Sequence, residues 1–253
     1  MKKPLVSIIL PVYKSEKHLE DILTSLLSQN YKNIEIIAVV DYLRDNSLKI
    51  LNKFKKKNKK LRVYKNIQTY GLHVTLNRGV RRAKGDYIAF VGNKNYPSIH
   101  RISKQVSFLL RNPKIAAVGT QVSIVRGNGR IVERSNFPTS HEEIYKDLML
   151  GTSISPETIM VNKKALPRDV IKFTNDKYPY LFVDLLLKIG IYAEIANLKY
   201  HLVSIKLTKR QNTAIKIDKK VSFLKLLVRS AALYAYRPSI KSIFNQAFGI
   251  SFR

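Results

Sequence analysis

The feature that most constrains this chain is a rhythm in its N-terminal part, where short unbroken apolar runs alternate with amphipathic stretches. "LVSIIL" (5–10), "IEIIAVV" (34–40) and "YIAFV" (87–91) carry almost no polar residue. A strand with one wet face alternates apolar with polar, whereas a strand covered on both faces reads as a continuous apolar run. After the first run, Leu19, Ile22, Leu23, Leu26 and Leu27 recur at helical spacing, with Ser15 available as a cap. After the second run, Asp45 precedes the apolar positions Leu48, Leu51 and Phe54. That helix runs out in "KKKNKK" (55–60), where cations suit a helix C-terminus. "LRVYKN" (61–66) reads as a short third strand, and "HVTLNRGVRRAKG" (73–85) as a helix closed by Gly85. Strand–helix alternation with short connections predicts an α/β fold, with a mainly parallel central sheet and helices on both faces.

The fourth strand, in "GDYIAFVGNKNYPS" (85–98), runs into a polar loop at its carboxyl end, the place where ligands bind in such sheets. Farther on, Ile99, Ile102, Val106, Leu109 and Leu110 mark a helix that stops near Pro113. "IAAVGTQVSIV" (115–125) and "GRIVER" (129–134) predict a hairpin across the Gly127–Gly129 turn. Ser140 and Glu143 have capping-box spacing for a helix through Leu148. "ETIMV" (157–161) is a strand candidate, and "LFVDLLLKIG" (181–190) is a largely apolar helix ending at Gly190. No repeat or low-complexity linker divides the chain. The expected organisation is one domain over 1–215, with a nucleotide-binding half over about 1–98 and an acceptor half over about 99–215, and then a basic amphipathic tail over 216–253.

Composition narrows the partners. The 253 residues carry 46 Lys+Arg against 17 Asp+Glu, a net charge of +29, which favours anionic partners: phosphorylated substrates, an anionic lipid surface or nucleic acid. No RNA- or DNA-binding motif accompanies the charge, so nucleic acid is the weakest of these readings. There is no cysteine, which excludes disulfides and thiolate metal sites and suits a cytoplasmic protein. The five histidines (His18, His73, His100, His141 and His201) lack ligand spacing. No apolar run reaches membrane-spanning length, and the N-terminal "MKKPLVSIILPVYKSE" lacks the small-residue cleavage site of a signal peptide. In the tail from Lys219, cations alternate with Phe223, Leu226, Leu227, Leu233, Tyr234 and Tyr236, the pattern of a peripheral membrane helix or of a terminal helix packed on the core.

Several segments in order resemble family 2 glycosyltransferases of the GT-A fold, which is Rossmann-like. These are "VSIILPVYKSEKHLEDILTSLLSQNYKNIEIIAVVD" (6–41), "YGLHVTLNRGVRRAKGDYIAF" (70–90), "RISKQVSFLLRNPKIAAVG" (101–119) and "DLLLKIG" (184–190). The resemblance covers roughly residues 5 to 200. It implies an inverting sugar transfer from a nucleotide-diphosphate donor to a hydroxyl of a cell-surface glycan or lipid-linked acceptor, at the inner face of the membrane. It also implies that Pro11, Val12, Tyr13 and Glu16 lie against the nucleoside, that Asp41 recognises the base, and that Arg78 contacts phosphate.

The departures from the family pattern are concentrated at the chemistry. Only Asp41 remains of two adjacent acids after the second strand, where Val40, Asp41, Tyr42 and Leu43 stand. Relatives hold a divalent cation on an Asp-x-Asp after the fourth strand, and such a hard ion needs oxygen ligands. Here Gly92, Asn93, Lys94 and Asn95 occupy those places, so no metal cofactor is expected. The family's Glu-Asp pair, one of which deprotonates the acceptor, aligns with Leu181 and Phe182. Asp184, or Asp176 before the helix, is the candidate replacement base, and Pro156 stands where many relatives have histidine. Two readings follow. In the first, Lys94 replaces the cation as the charge on the leaving diphosphate, with Asn93 and Asn95 as neutral donors. In the second, the chain is a non-catalytic relative that keeps the scaffold for binding or assembly.

Overall fold

The structure is a computed structural model that describes residues 3–42, 44–127, 129–206 and 214–239. The helical backbone of 214–219 is described without its side chains. Leu43, Asn128 and the 240–253 part of the basic tail lie outside the described residues.

The predicted alternation is present: β1 (Val6–Val12), α1 (Leu19–Leu27), β2 (Ile34–Val40), α2 (Ser47–Lys57), β3 (Leu61–Lys65), α3 (Leu72–Arg82) and β4 (Tyr87–Phe90). They are followed by β5 (Asn95–Pro97), α4 (Arg101–Arg111), β6 (Ile115–Val125), β7 (Ile131–Arg134) and α5 (His141–Lys146). The chain closes with β8 (Met160–Asn162), α6 (Tyr180–Tyr192), β9 (Glu194–Lys206) and α7 (Ala214–Tyr234). The sheet runs in the order β3-β2-β1-β4-β8-β6-β9-β5, with β7 paired to β6 as the predicted hairpin. Its first half is wholly parallel, and β6–β9 is parallel too, while β8 joins the halves through antiparallel pairs with β4 and β6.

Period two along the buried strands sends alternate side chains to opposite faces. Ile9, Ile37, Val39, Ile88 and Phe90 pack on the side of α3, α5, α6 and α7. Ile8, Leu10, Ile36, Ala38 and Ala89 pack on the side of α1, α2 and α4. Both faces are therefore dry, which is why the runs are unbroken.

Several local expectations are corrected. Ser15 is not the cap of α1: it is buried, its hydroxyl donates to the Tyr13 carbonyl (3.1 Å), and α1 begins only at Leu19. Gly85 does not close α3, which ends at Arg82. It lies against β1, where a side-chain carbon would come within 2.7 Å of the Leu5 carbonyl oxygen and the Ser7 nitrogen. Gly190 does not end α6 but sits inside it, where a side-chain carbon would collide with the Tyr145 ring. Over 157–161 the strand is shorter than expected. Residues Pro156–Thr158 form a 3₁₀ turn, and β8 starts at Met160. The helix after Ser140 ends at Lys146, with Ser140 accepting from the Glu143 N–H (3.4 Å) as its cap.

The described part of α7 packs on α6, burying Phe223 and Leu226 beside Tyr180, whereas Val221, Leu224, Val228 and Leu233 face outward. Among the described residues, no helix is long and apolar enough to cross a membrane.

Candidate functional site

A cleft of about 840 Å³ opens at the carboxyl ends of β1, β2 and β4. In a parallel sheet, strand ends and the loops that follow them supply both backbone groups and side chains to such a cleft. Pro11, Val12 and Tyr13, where β1 ends, form one wall. The Tyr13 ring is 43% exposed and meets Tyr42 edge-on at 5.4 Å, and the Lys14 ammonium lies 5.5 and 5.2 Å from the two ring centroids.

Asp41, one residue beyond β2, is 4% exposed and organises the next wall. Its Oδ1 accepts from Asn66 Nδ2 (2.6 Å) and the Tyr70 N–H (3.0 Å), and its Oδ2 accepts from the Gly71 N–H (2.8 Å). Gly71 has φ +92°, a left-handed conformation that suits glycine, and it leads directly into α3. The carboxylate thus ties the 66–71 connection to the end of β2 while still bordering the cleft.

Two sequence expectations fail at this end. Arg78, expected against phosphate, does not line the cleft. It sits more than a turn into α3 and donates back to the Lys65 carbonyl (2.6 Å) and Asn66 Oδ1 (2.7 Å). Glu16, expected against the nucleoside, is exposed, is not among the cleft-lining residues and accepts from Asn46 N–H (3.1 Å) and Nδ2 (3.2 Å), linking the end of β1 to the start of α2.

The β4–β5 loop forms the opposite end. Asn93 lines the cleft and donates to the Tyr13 carbonyl (2.9 Å) and to Ser15 Oγ (3.3 Å), which pins the loop to β1. Asn95 is buried and starts β5, a strand hidden in sequence inside the polar loop. Lys94 lies between them and lines the cleft, as do Lys14 and Lys206. The effect of this positive field is visible at nearby His18, whose pKa is lowered by burial and by the charges of Lys206 and Lys94.

The remaining wall was not anticipated. Glu157, Tyr178 and Phe182 line the cleft, with Glu157 Oε1 accepting from the Tyr178 hydroxyl (2.7 Å) and Oε2 from Ser155 Oγ (3.1 Å). Although the Tyr178 ring is 40% exposed, enclosure of its hydroxyl, the Glu157 charge and this hydrogen bond hold its pKa well above the ordinary value, so it remains a donor. In sequence Glu157 begins an apolar pentad. Only the pairing of β8 with β4 brings it to the β4 end.

Asp184, the expected base, is displaced from the cleft. It is fully buried on α6 and accepts from Arg229 (3.1 Å), the Tyr234 hydroxyl (2.8 Å) and Thr174 Oγ1 (3.2 Å), with the Lys188 ammonium at 2.6 Å. Asp176 is buried in the same network, with Arg229 at 2.8 Å and Thr174 at 2.6 Å. The helical periodicity of α6 turns Asp184 toward α7, and Phe182 rather than an acid faces the cleft.

The β4 loop itself supplies no carboxylate of the kind a hard divalent cation takes. The loop offers an ammonium, an amide whose nitrogen donates to Tyr13 and a buried amide, and among the described residues Glu157 borders it. Among the described residues, no group of three or more His, Cys, Asp or Glu side chains is arranged to hold a metal ion.

The family model described as Glycosyl transferase family 2 matches residues 7–170. An uncharacterized glycosyltransferase of Haemophilus influenzae is 30% identical over 179 residues, spanning 70% of this chain and 69% of that protein. A putative teichuronic acid biosynthesis glycosyltransferase, TuaG of Bacillus subtilis, is 28% identical and covers 64% of each. Among solved structures, S. aureus TarS 1–349 in complex with UDP-GlcNAc aligns with a TM-score of 0.75 at 19% identity, covering 98% of this chain and 73% of that one. That likeness places the fold in the GT-A class.

Proposed function

Because the chain belongs to glycosyl transferase family 2, we propose that it moves a sugar from a nucleotide-diphosphate donor onto a cell-surface glycan or lipid-linked acceptor. The donor's nucleoside lies between Tyr13 and Asp41, and its diphosphate lies toward Lys94. The observation that carries this reading is the placement of Lys94, with Lys14 and Lys206, in one cleft with Asp41 at the carboxyl ends of the strands. Uracil-type N–H groups need an acceptor, and Asp41 borders the cleft with a carboxylate held rigid by three donors. A leaving diphosphate needs positive charge, and an ammonium is suited to phosphate oxygens.

The reaction is written as a single displacement with inversion and without the family's usual cation, since the β4 loop supplies a lysine where acids would hold metal. The teichuronic acid relative and the UDP-GlcNAc held by TarS favour a UDP-sugar donor and a cell-wall glycan acceptor. The outward Val221, Leu224 and Val228 of α7, beside the exposed Lys220 and Lys225, support docking at an anionic membrane face, where lipid-linked acceptors are found.

Calorimetric titration with UDP and GDP, and with their sugars, in the presence of EDTA tests the site. Binding that survives the chelator and weakens at least tenfold in Lys94→Glu is expected. Absence of binding by the wild type, or equal binding by Lys94→Glu, would sink the reading. Binding without any transfer or donor hydrolysis would favour the non-catalytic alternative, to which the burial of Asp184 lends weight.

A further inference from the structure

We propose that Glu157 is the general base of the transfer reaction, positioned by Tyr178 and Ser155. This rests on the sugar-transfer reading above.

The argument begins with which carboxylates reach the cleft. Leu181 and Phe182 stand where relatives have acids, and neither accepts a proton. Asp184 and Asp176 are buried and committed to Arg229 and its neighbours. Among the residues lining the cleft, the carboxylates are Asp41 and Glu157. Asp41 is at the β2 end, tied to the 66–71 connection, where the reading above places the nucleoside and not the acceptor hydroxyl. Glu157 is at the other end, on the 3₁₀ turn that precedes β8. It passes so close to the β4 loop that a side-chain carbon on Gly92 would come within 2.8 Å of its Cγ. Gly92 and Lys94 belong to that same loop, so the acid and the ammonium face the cleft from adjacent positions.

The carboxylate is also built for the task. It is half-buried, open to the cleft, and oriented through one hydrogen bond to each oxygen. A carboxylate oxygen has a second lone pair, so each retains capacity for a proton. Behind the loop, Arg101 is fully buried and donates to the Phe90 carbonyl (2.9 Å); burial pushes its pKa down to about 9, against the opposing effect of the Glu157 charge.

In the proposed step, an oxygen lone pair of the acceptor hydroxyl forms the bond to the anomeric carbon as the O–H proton passes to Glu157. The bond from the anomeric carbon to the β-phosphate oxygen breaks, and its electron pair leaves on the nucleoside diphosphate, whose charge Lys94 balances. The products are one glycoside, one nucleoside diphosphate and a proton on Glu157, which it later releases to water.

The test compares wild type, Glu157→Gln, Glu157→Asp and Tyr178→Phe. It measures UDP or GDP release from a panel of nucleotide-sugars, with water or a cell-wall glycan fraction as acceptor, alongside calorimetric UDP and GDP binding. Glu157→Gln keeps the shape: its carbonyl still accepts from one of the two hydroxyls, and the other hydroxyl turns to accept from the amide N–H. It is expected to lower kcat by 10² to 10⁴-fold with nucleotide affinity unchanged, as loss of general-base catalysis does. Glu157→Asp should recover part of the rate. Tyr178→Phe removes a donor to the carboxylate and should move the acid limb of the pH–rate profile upward, a shift that a merely structural role would not produce. Glu157→Gln within threefold of an active wild type overturns the base assignment and leaves the transfer reading standing. A wild type that binds nucleotide but releases none from any donor overturns both.

Discussion

Arg78 donates to the side-chain carbonyl of Asn66 at 2.7 Å, and that contact fixes which end of the Asn66 amide faces Asp41. The guanidinium therefore acts one residue removed from the cleft. It holds Asn66 Oδ1, which leaves the Asn66 amino group for the aspartate, and it anchors the end of β3 through the Lys65 carbonyl. A residue expected to touch phosphate is instead the support of the residue that orients Asp41 in the cleft wall.

Arg78→Ala should accordingly weaken UDP binding about tenfold, the equivalent of losing roughly 1.4 kcal/mol of a charge-assisted hydrogen bond passed through Asn66. Arg78→Lys should recover only part, because the shorter side chain brings its ammonium less far toward the two acceptors that Nη1 alone now serves. Calorimetric titration of UDP reads both. Equal affinity in Arg78→Ala and wild type would contradict the support role.

The Asp184 cluster yields an opposite expectation, a stability effect with little effect on the cleft. Asp184→Asn leaves Lys188 and Arg229 beside a neutral group in a buried position. Breaking such a pair from one side costs about 3–5 kcal/mol. Denaturant unfolding should show that loss. UDP affinity, measured well below the melting temperature, should stay within about twofold of wild type. A selective loss of turnover with unchanged stability would restore Asp184 as a catalytic group.

Glu35 provides a pH test. Burial pushes its carboxyl pKa up, but donors from Ser7 Oγ (2.6 Å), the Lys84 N–H (2.7 Å) and Arg62 (2.7 Å) outweigh it and hold the pKa below the ordinary value. A carboxyl with a depressed folded-state pKa contributes stability that is fully present above its unfolded value, about pH 4.3, and is lost as pH falls through the lower folded value. Thermal unfolding between pH 7 and pH 3 should show the wild type losing stability below that point. Glu35→Gln should start roughly 2 kcal/mol lower at pH 7 and lose less on acidification. Parallel curves would show that Glu35 is not responsible.

The outward face of α7 makes a prediction about membranes. Wild type should float with vesicles containing phosphatidylglycerol and detach as salt rises, since exposed cations and apolar side chains act together there. Leu224→Glu combined with Val228→Glu should abolish flotation, because both side chains are more than half exposed. Point substitutions are the cleaner variants: removing the helix would also expose Tyr180 and strip Arg229 from Asp184. Unchanged flotation of the double variant would place the membrane contact elsewhere.

How much was legible in the sequence followed how local each signal was. The buried runs of β1, β2 and β4 were readable because a strand dry on both faces admits no polar residue. The helices between them were readable because their apolar positions follow the 3.6-residue period. The hairpin of β6 and β7 and the Ser140 cap were readable for the same reason, since their partners lie a few residues away. β9 was not, because its exposed stretch at Lys199–His201 and its register shifts against β6 break any period. β5 was hidden because three residues in a polar loop carry no periodicity at all.

The site divides along the same line. Sequence alone located the strand ends of β1, β2 and β4, and the family resemblance singled out Tyr13, Asp41, Asn93 and Lys94 there; the structure lines one cleft with all four. Tertiary structure alone decided which distant side chains join them or leave them. Pairing of β8 with β4 carries Glu157 to Gly92 across 65 residues of chain, while the packing of α7 on α6 withdraws Asp184 into a buried network with Arg229. Side-chain chemistry can be read position by position. Whether a carboxylate faces a cleft or a core depends on the rotation of its helix and the register of its strand, and those are set by contacts between segments far apart in the chain.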